Sequence, residues 1–189
     1  MERIHHALYV KCREQASREA SPTVAIVDAQ SVKSAKRGGA HIDPHGYDAG
    51  KKIKGKKRHV LVDTQGLMLH SIVTAADVQD RDGGAWLLGT LFGLHPFLLK
   101  LYADGGYQGP EFRKSVKAVL SQVKVEIVKR SDQEKGFVVL PKRWVVERTL
   151  AWLNRCRRLG KDWENLNHKA RAFLLMASIR LMVRRLCRA

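Results

Sequence analysis

Residues 59–73 read HVLVDTQGLMLHSIV, two apolar runs on either side of the short link Thr64-Gln65-Gly66. Two apolar runs that are joined by a short link containing glycine indicate two β-strands in a hairpin. Upstream, residues 24–27 form a third apolar run, VAIV, which ends in Asp28. A continuous β-branched run of this kind is typical of a buried central strand. The hairpin and the upstream strand together predict the first half of a β-sheet.

Helices and strands are predicted to alternate after the hairpin. Asp80 and Asp82 are favourable helix-start residues, and Pro110 can open a second helix. The predicted elements are helices over 85–92, 110–120, 143–159 and from about 168, with strands over 97–102 and 123–128. A hairpin followed by this alternation predicts an α/β fold of ribonuclease-H-like order. The predicted architecture is a mixed sheet flanked by helices, with an additional C-terminal helix.

The length of 189 residues is enough for one domain of ordinary size. We expect residues 1–22 to be an N-terminal remnant or linker, residues 23–160 to form the α/β domain, and residues 161–189 to form a basic helix packed on it. Residues 31–58 are rich in glycine and lysine, which predicts a long loop. Residues 1–20 predict a short polar helix or a ragged end.

The positive charge of the chain is concentrated in two blocks. The chain carries 35 Lys and Arg against 18 Asp and Glu, a formal net charge of +17. Residues 31–60 hold nine basic and two acidic side chains, and residues 142–189 hold thirteen and three. Because phosphates attract Lys and Arg whatever the sequence, the blocks predict a polyanionic partner such as nucleic acid. The neutral chain between the blocks excludes a uniformly basic surface.

Other classes of protein are excluded by the cysteines and the apolar stretches. Three cysteines that lie far apart argue against a disulfide framework or a zinc ribbon and fit a reducing cytosol. The first twenty residues lack the apolar core of a signal peptide. The longest apolar stretch, residues 87–99, is interrupted by Gly, His and Pro and is too short to span a bilayer. We therefore expect a cytoplasmic protein without a membrane partner.

Three acidic residues stand where a fold of this order gathers side chains. Asp28 ends the first strand, Asp104 ends the fourth, and Glu147 lies in the first turn of the helix after the fifth. The first and fourth strands lie side by side in this order, so both aspartates are expected at one edge of the sheet. Converging carboxylates suit Mg²⁺, and two such ions about 4 Å apart can activate a water or a 3′-hydroxyl for in-line attack on phosphorus. Taken singly, each aspartate is better explained as a strand-end cap or a turn residue, whereas all three at these positions in a basic protein favour the metal site.

Seven stretches of the chain carry a family resemblance. They are VDAQSVK (27–33), GYDAGKK (46–52), KGKKRH (54–59), ADGGY (103–107), GFVVL (136–140), RWVVERT (143–149) and WLNRCRRL (152–159). From about Ser21 to its C-terminus, the chain resembles the catalytic part of DDE-type transposases of bacterial insertion sequences. Within the family-four-like superfamily of these elements, it is most similar to the insertion-sequence family five group.

The resemblance implies a DNA transposase whose DDE catalytic domain is the ribonuclease-H-like unit at 23–160. It implies that Asp28, Asp104 and Glu147 are both the catalytic and the metal-binding residues, with two Mg²⁺ ions that Mn²⁺ can replace. The implied reaction is metal-dependent DNA strand cleavage and strand transfer at the insertion-sequence ends. The implied partners are the terminal inverted repeats, target DNA and further copies of the chain in a synaptic complex associated with the nucleoid.

The chain departs from the family's glutamate signature, which runs tyrosine, two residues, arginine, three residues, glutamate, six residues, lysine. Arg143 and Glu147 fit this pattern, whereas Leu140 and Asn154 replace the tyrosine and the lysine. Arg143, Glu147, Asn154 and Arg158 are spaced by four, seven and four residues, which predicts one shared helix face. The alternative interpretation is an ordinary surface pair between Arg143 and Glu147.

Basic side chains near these acidic residues are predicted to bind DNA phosphates. Residues 50–56, GKKIKGK, imitate a nucleotide-binding phosphate loop, but the next residue is Lys57 where Ser or Thr is required. We expect instead a mobile loop that contacts DNA, or else a plain solvated loop. The predicted DNA-binding residues are Lys51, Lys52, Lys54, Lys56, Lys57, Arg58, Arg143, Arg155 and Arg158.

Two further groups of side chains allow two interpretations each. Trp144 and Tyr107 flank the acidic residues, so they could stack on an unpaired base or pack in the core. Asp80 or Asp82 could be a fourth carboxylate, although helix capping is the better interpretation.

Two other functions compete with a working transposase. Transposases of this group carry a longer N-terminal region, so the chain could be a truncated copy that only binds DNA, without catalysis. A nuclease for RNA–DNA hybrids is a weaker alternative, because the basic C-terminal helix gives no reason for that preference. The link 129–142 is predicted to be too short for an inserted domain.

Overall fold

A mixed β-sheet forms the centre of the protein. The computed structural model describes residues 1–35, 41–128 and 142–188. The strands are β1 (Val24–Lys33), β2 (Gly46–Asp48), β3 (Ile53–Asp63), β4 (Met68–Ala75), β5 (Lys100–Ala103) and β6 (Lys124–Ile127). Their spatial order is β2-β3-β1-β5-β6, and β4 also pairs with β3. β3 is antiparallel to β1, β2 and β4, whereas β5 is parallel to both β1 and β6, which confirms the predicted mixed sheet.

Helices cover both faces of this sheet. They are α1 (Glu2–Gln15), α2 (Asp80–Gly89), α3 (Pro110–Val119), α4 (Arg143–Asn154) and α5 (Asn167–Leu186). Successive residues of β1 point to opposite faces, so Val27 packs in a core with residues of α2 and α3, and Ile26 packs in a second core with residues of α4 and α5. No helix in the described part of the chain is long and apolar enough to cross a membrane.

The long loop predicted over 31–58 is wrong. β1 continues to Lys33, β2 occupies Gly46–Asp48, and β3 has already begun at Ile53. Gly55 explains how this glycine-rich segment forms strands, because a Cβ atom there would lie 2.1 Å from the carbonyl oxygen of Val32. The small residue lets the neighbouring strand approach closely, a use of glycine that composition alone does not distinguish from a loop.

The hairpin turn between β3 and β4 is organised by a buried aspartate. Asp63 Oδ1 accepts hydrogen bonds from the backbone N–H groups of Gln65 and Leu67 at 2.9 and 3.0 Å. Its other oxygen accepts from Tyr9 at 3.3 Å and from Arg13 at 2.5 Å, so the same carboxylate attaches α1 to the sheet. The N-terminal segment therefore contains a docked helix, and Tyr9 is buried in its contact.

We predict that Asp63→Ala lowers the free energy of unfolding by about 3–5 kcal/mol, because it leaves the buried Arg13 guanidinium without its partner. Urea unfolding followed by circular dichroism measures this change. The matched control is Glu126→Ala, which removes the exposed pair with Lys100 and should cost about 0–1 kcal/mol. Equal losses in the two variants would contradict the central role of Asp63.

Candidate active site

Asp28 and Asp104 lie next to each other at the edge of the sheet where β5 ends. Asp104 directly follows β5, whereas Asp28 lies within β1, which continues to Lys33, so the prediction that Asp28 ends the first strand is wrong. The pairing of β1 with β5 aligns Ala25 with Leu101 and Ile26 with Tyr102. Carried two residues further, the same alignment sets Asp28 opposite Asp104. Both aspartates and Arg143 line one small depression at this edge of the sheet. The structure thus brings together two of the three predicted acidic residues directly.

The environment of Asp28 disfavours its charged form. Burial, and then the negative charge of Asp104, raise the pKa of Asp28 to about 6. The backbone N–H of Ala29, which donates to Asp28 Oδ1 at 2.8 Å, acts in the opposite direction, as do Arg143 and Lys51. A carboxylate whose pKa is raised beside a second carboxylate is poorly compensated as an anion, and a bound cation would stabilise both charges.

Arg143 connects the aspartates to the third predicted residue. Its Nη2 atom lies 3.5 Å from Asp104 Oδ2, and its Nε atom lies 3.0 Å from Glu147 Oε1, one helical turn further along α4. The other oxygen of Asp104 accepts a hydrogen bond from the backbone N–H of Gly106 at 2.8 Å, which caps the short 3₁₀ turn Gly105–Tyr107. The guanidinium of Arg143 therefore bridges Asp104 and Glu147, and Asp28 lines the same depression.

This arrangement differs from a preformed metal cage. Among the residues that the structure describes, no three His, Cys, Asp or Glu side chains form a group that could hold a metal ion. The donor chemistry of Asp28 and Asp104 fits a hard cation, since both offer carboxylate oxygens and Asp28 is poorly compensated. Glu147 is about half exposed and its carboxylate is bound to Arg143, so it must leave that partner to act as a third ligand.

A fourth carboxylate, Asp80, lies in the same region. A Cβ atom on Gly106 would lie 3.1 Å from Asp104 Oδ1 and 3.7 Å from Asp80 Oδ2, so the two acids face one small space. Asp80 begins α2 but does not cap it, because the N-cap residue is Gln79. Its Oδ1 atom instead pairs at 2.8 Å with the buried ammonium of Lys57. The capping interpretation of Asp80 is therefore wrong, and its proximity to Asp104 could not be read from local sequence.

Tyr107 belongs to the core beneath these carboxylates. Its ring is fully buried and meets Phe112 edge to face, with the centroids 5.3 Å apart. Burial, together with the charges of Asp28, Asp80 and Asp104, raises the pKa of Tyr107 well above its ordinary value, so its hydroxyl stays neutral. The packing interpretation of Tyr107 is therefore confirmed.

The family model described as the transposase DDE domain matches residues 19–182, which include all three predicted acidic residues. The chain belongs to this family. It is also 35% identical over 127 residues to the putative transposase for insertion sequence element IS402 from Burkholderia cepacia. That match covers 64% of this chain and 59% of the relative's length.

Three of the basic residues predicted to bind DNA are buried in the interior of the protein. Lys56, Lys57 and Arg58 are buried on β3. Lys56 Nζ donates to Asn167 Oδ1 at 2.6 Å, and Arg58 Nη1 donates to the carbonyl oxygen of Leu159 at 2.7 Å. These contacts attach β3 to the segments around α4 and α5. The prediction that these three side chains lie in an exposed loop and contact DNA is therefore wrong, because they are buried on a strand.

Three other residues of the first block that are predicted to bind DNA are exposed. Lys51, Lys52 and Lys54 all reach solvent. Lys51 lies closest to the acidic centre, because its Nζ atom donates to the carbonyl oxygen of Ala29 at 3.2 Å, one residue after Asp28. Exposed ammonium groups in this position are available to a phosphate chain that passes the carboxylates.

The helix face predicted from Arg143 to Arg158 is interrupted. α4 ends at Asn154, and Arg158 lies in the following 3₁₀ turn, Arg157–Leu159, where it forms an ion pair with Glu164. Asn154, at the lysine position of the family signature, donates to Gln30 Oε1 at 3.0 Å and so joins α4 to β1. Arg155 is exposed. Leu140 and the rest of the 129–141 link lie outside the described residues.

The raised pKa of Asp28 predicts a pH-dependent cost to stability. An aspartate with a higher pKa in the folded than in the unfolded chain destabilises the fold progressively as pH rises from 3.8 through about 6. In EDTA at neutral pH, Asp28→Asn should raise the free energy of unfolding by on the order of 2 kcal/mol. The gain should vanish below about pH 4.

Denaturant melts at several pH values measure this difference. The control is Asp82→Asn, an exposed aspartate in the first turn of α2. It should change the free energy of unfolding by less than about 0.5 kcal/mol at every pH. A stabilisation by Asp28→Asn that is the same at acid and neutral pH would show that charge burial is not its cause.

Proposed function

We propose that the chain is the catalytic domain of a DNA transposase that cleaves and joins DNA strands at the ends of an insertion sequence. The observation that carries this proposal is the placement of Asp28 beside Asp104, with Arg143 and Glu147 next to them. Membership of the transposase DDE domain family supports it. The chain spans 59% of the length of the curated relative that it matches, so the activity of the whole protein is part of the proposal.

Asp28, Asp104 and Glu147 would hold the divalent cations of this reaction. Bound Mg²⁺ would activate a water or a 3′-hydroxyl and stabilise the leaving oxygen, and Mn²⁺ is a suitable substitute. The raised pKa of Asp28 supports this assignment. It shows that the negative charge of Asp28 beside Asp104 is unfavourable without a cation, and a bound cation would stabilise both carboxylates.

Arg143 has two roles in the proposal. Without substrate, its guanidinium neutralises Asp104 and Glu147 and holds α4 against the end of β5. When Glu147 turns towards a cation, the guanidinium becomes available to a phosphate oxygen of the DNA strand. Arginine suits this exchange because its planar donors bind carboxylates and phosphates in the same way.

DNA is the proposed partner, in the form of terminal inverted repeats and target DNA. Lys51, Lys52, Lys54 and Arg155 are exposed and would neutralise backbone phosphates, which gives binding that weakens with salt. Pairing of two element ends requires more than one copy of the chain, so we include a homo-oligomer in the proposal. The reaction would take place at the nucleoid, in the cytoplasm.

We predict that Glu147→Gln and Asp104→Asn each reduce Mg²⁺-dependent nicking of duplex DNA carrying the element's ends by at least about 100-fold, because each removes a cation ligand. A strand-cleavage and strand-transfer assay on labelled DNA measures this loss. Glu111→Gln, an exposed residue in the first turn of α3, is the control and should retain activity.

Unchanged nicking in Glu147→Gln would contradict the assignment of this residue. Salt-sensitive binding of the unaltered protein without cleavage, in either Mg²⁺ or Mn²⁺, would contradict the catalytic proposal and favour a DNA-binding protein. Assays with and without any protein segment encoded upstream separate a missing segment from an inactive centre.

A further inference from the structure

A basic groove lies beside the acidic centre, between α4, α5 and the turn of the β3–β4 hairpin. Its volume is about 660 Å³, within the usual range of ligand-binding clefts. We call it the indole groove, and we define it by Trp144, Trp152, Arg148 and the arginines that line it with them, Arg155, Arg180, Arg184, Arg185 and Arg188. The strand-cleavage mechanism does not use these residues, apart from the phosphate contact proposed for Arg155.

Two tryptophans of the indole groove enclose one arginine. Trp144, Arg148 and Trp152 are spaced by four residues on α4 and so lie one above another on its surface. Arg148 Cζ lies 4.5 Å from the ring centroid of Trp144 and 4.8 Å from that of Trp152. Arg148 also donates to the carbonyl oxygen of Gln65 at 3.2 Å, which fixes this stack against the hairpin turn.

Both indoles remain partly exposed beside Arg148. Trp144 is 42% exposed and Trp152 is 41% exposed, although each has one ring face against the guanidinium. A rigid aromatic surface of this kind offers a planar partner a stacking site at little cost in side-chain entropy. The stack is thus suited to flat ligand groups.

The charge of the indole groove is positive throughout. Among the described residues that line it, none is acidic. Arg180, Arg184 and Arg188 are exposed, and none of them forms an ion pair within the described part of the chain. Burial and the nearby charge of Arg185 lower the pKa of Arg148, as expected where like charges are close. A ligand for this groove must carry several negative charges.

Single-stranded DNA combines these two properties. We propose that the indole groove binds an unpaired stretch of DNA, with bases against Trp144 and Trp152 and phosphates against the surrounding arginines. Stacking platforms in a basic channel are the general means of holding single strands without sequence preference. In an intact duplex the flat faces of the bases are covered by their neighbours, so the tryptophans would contribute little there.

The position of the groove explains where such a strand would come from. Trp144 directly follows Arg143 and Arg148 directly follows Glu147, and one residue corresponds to about 100° around a helix. The indole groove and the acidic centre therefore occupy adjoining faces of α4. A strand separated from its partner near the carboxylates can continue along the tryptophans.

Fluorescence anisotropy of a labelled oligothymidylate in EDTA tests this proposal, with a duplex of mixed sequence as the second probe. Trp152→Ala should weaken single-strand binding by about 10-fold or more and duplex binding by less than about 2-fold. Trp152→Phe should restore part of the affinity, because a smaller ring still stacks. Trp86→Ala removes an exposed tryptophan of α2 outside the groove and should bind like the unaltered protein.

The proposal is overturned if the unaltered protein does not bind the oligothymidylate, if Trp152→Ala leaves its affinity unchanged, or if both probes lose affinity equally. Circular dichroism and unfolding curves confirm that Trp152→Ala is folded. Independently, Arg184→Ala with Arg188→Ala should lower the salt dependence of single-strand binding by about 1.4, since each phosphate contact contributes about 0.7 to the slope.

The test is separate from the strand-cleavage proposal. Binding in EDTA requires no cation, so the binding assay reports on the groove whatever the cleavage assay shows. If Asp104→Asn retains cleavage while Trp152→Ala loses single-strand binding, the catalytic assignment fails and the groove stands. A Trp152→Ala variant whose only defect is weaker self-association in sedimentation would show that the groove contacts a second copy and would overturn the DNA proposal.

Discussion

The parallel pairing of β1 with β5 is the contact on which the acidic centre depends. This pairing aligns the first half of β1 with β5, which is distant in sequence, and so sets Asp28 against Asp104. A buried carboxylate beside a second carboxylate is unfavourable, and the pKa of Asp28, raised first by burial and then by Asp104, expresses that cost in the folded chain. The fold tolerates it because both strands are buried in the two cores, where Ile26, Val27 and Leu101 supply apolar contacts. Stability away from the edge thus supports an electrostatically unfavourable arrangement at the edge, as is common at functional sites.

α4 is the element that joins this centre to the rest of the molecule. Thr149 donates to the carbonyl oxygen of Gly66 at 2.8 Å, and Gly66 has a positive φ of 81°, a conformation that suits glycine in the hairpin turn. Asn154 connects the other end of α4 to Gln30 of β1. The hairpin and the central strand therefore set the position and rotation of the helix. As a result, one face presents Arg143 and Glu147 to the aspartates, while the adjoining face carries the tryptophans.

The sequence predicted the elements well where the signals were local. The hairpin turn, the start of α3 at Pro110 and the strand that ends before Asp104 all follow from residue types and short spacings. The glycine-rich segment was misassigned, since the fit of Gly55 against Val32 is a contact between strands that composition does not encode. The spacing of four residues allows the observed pair of Arg143 with Glu147, and the sequence allows Asp80 as a fourth carboxylate. The contacts that bring Arg143 and Asp80 to Asp104 could not be predicted, because they depend on where α4 and α2 pack. Asn154 likewise looked like a defect in the family signature, and its role in joining α4 to β1 became visible only with the neighbouring strand in place.

The formal net charge of +17 overstates the positive charge that is exposed on the surface and available to DNA. In the first block, Lys56, Lys57 and Arg58 are buried and hydrogen-bonded within the protein, so they stabilise the fold and are unavailable to phosphates. In the second block, two arginines form ion pairs within the protein: Arg171 pairs with Glu2, and Arg158 pairs with Glu164. The exposed basic residues in the described part of the chain include Lys51, Lys52, Lys54 and, apart from Arg148, the arginines of the indole groove. Lys51 reaches the residue next to Asp28, and the indole groove adjoins the face of α4 that carries Glu147, so a phosphate backbone attracted to both groups would run close to the acidic centre. Cations bound there would remove its repulsion of that backbone, so metal binding and DNA binding should reinforce each other.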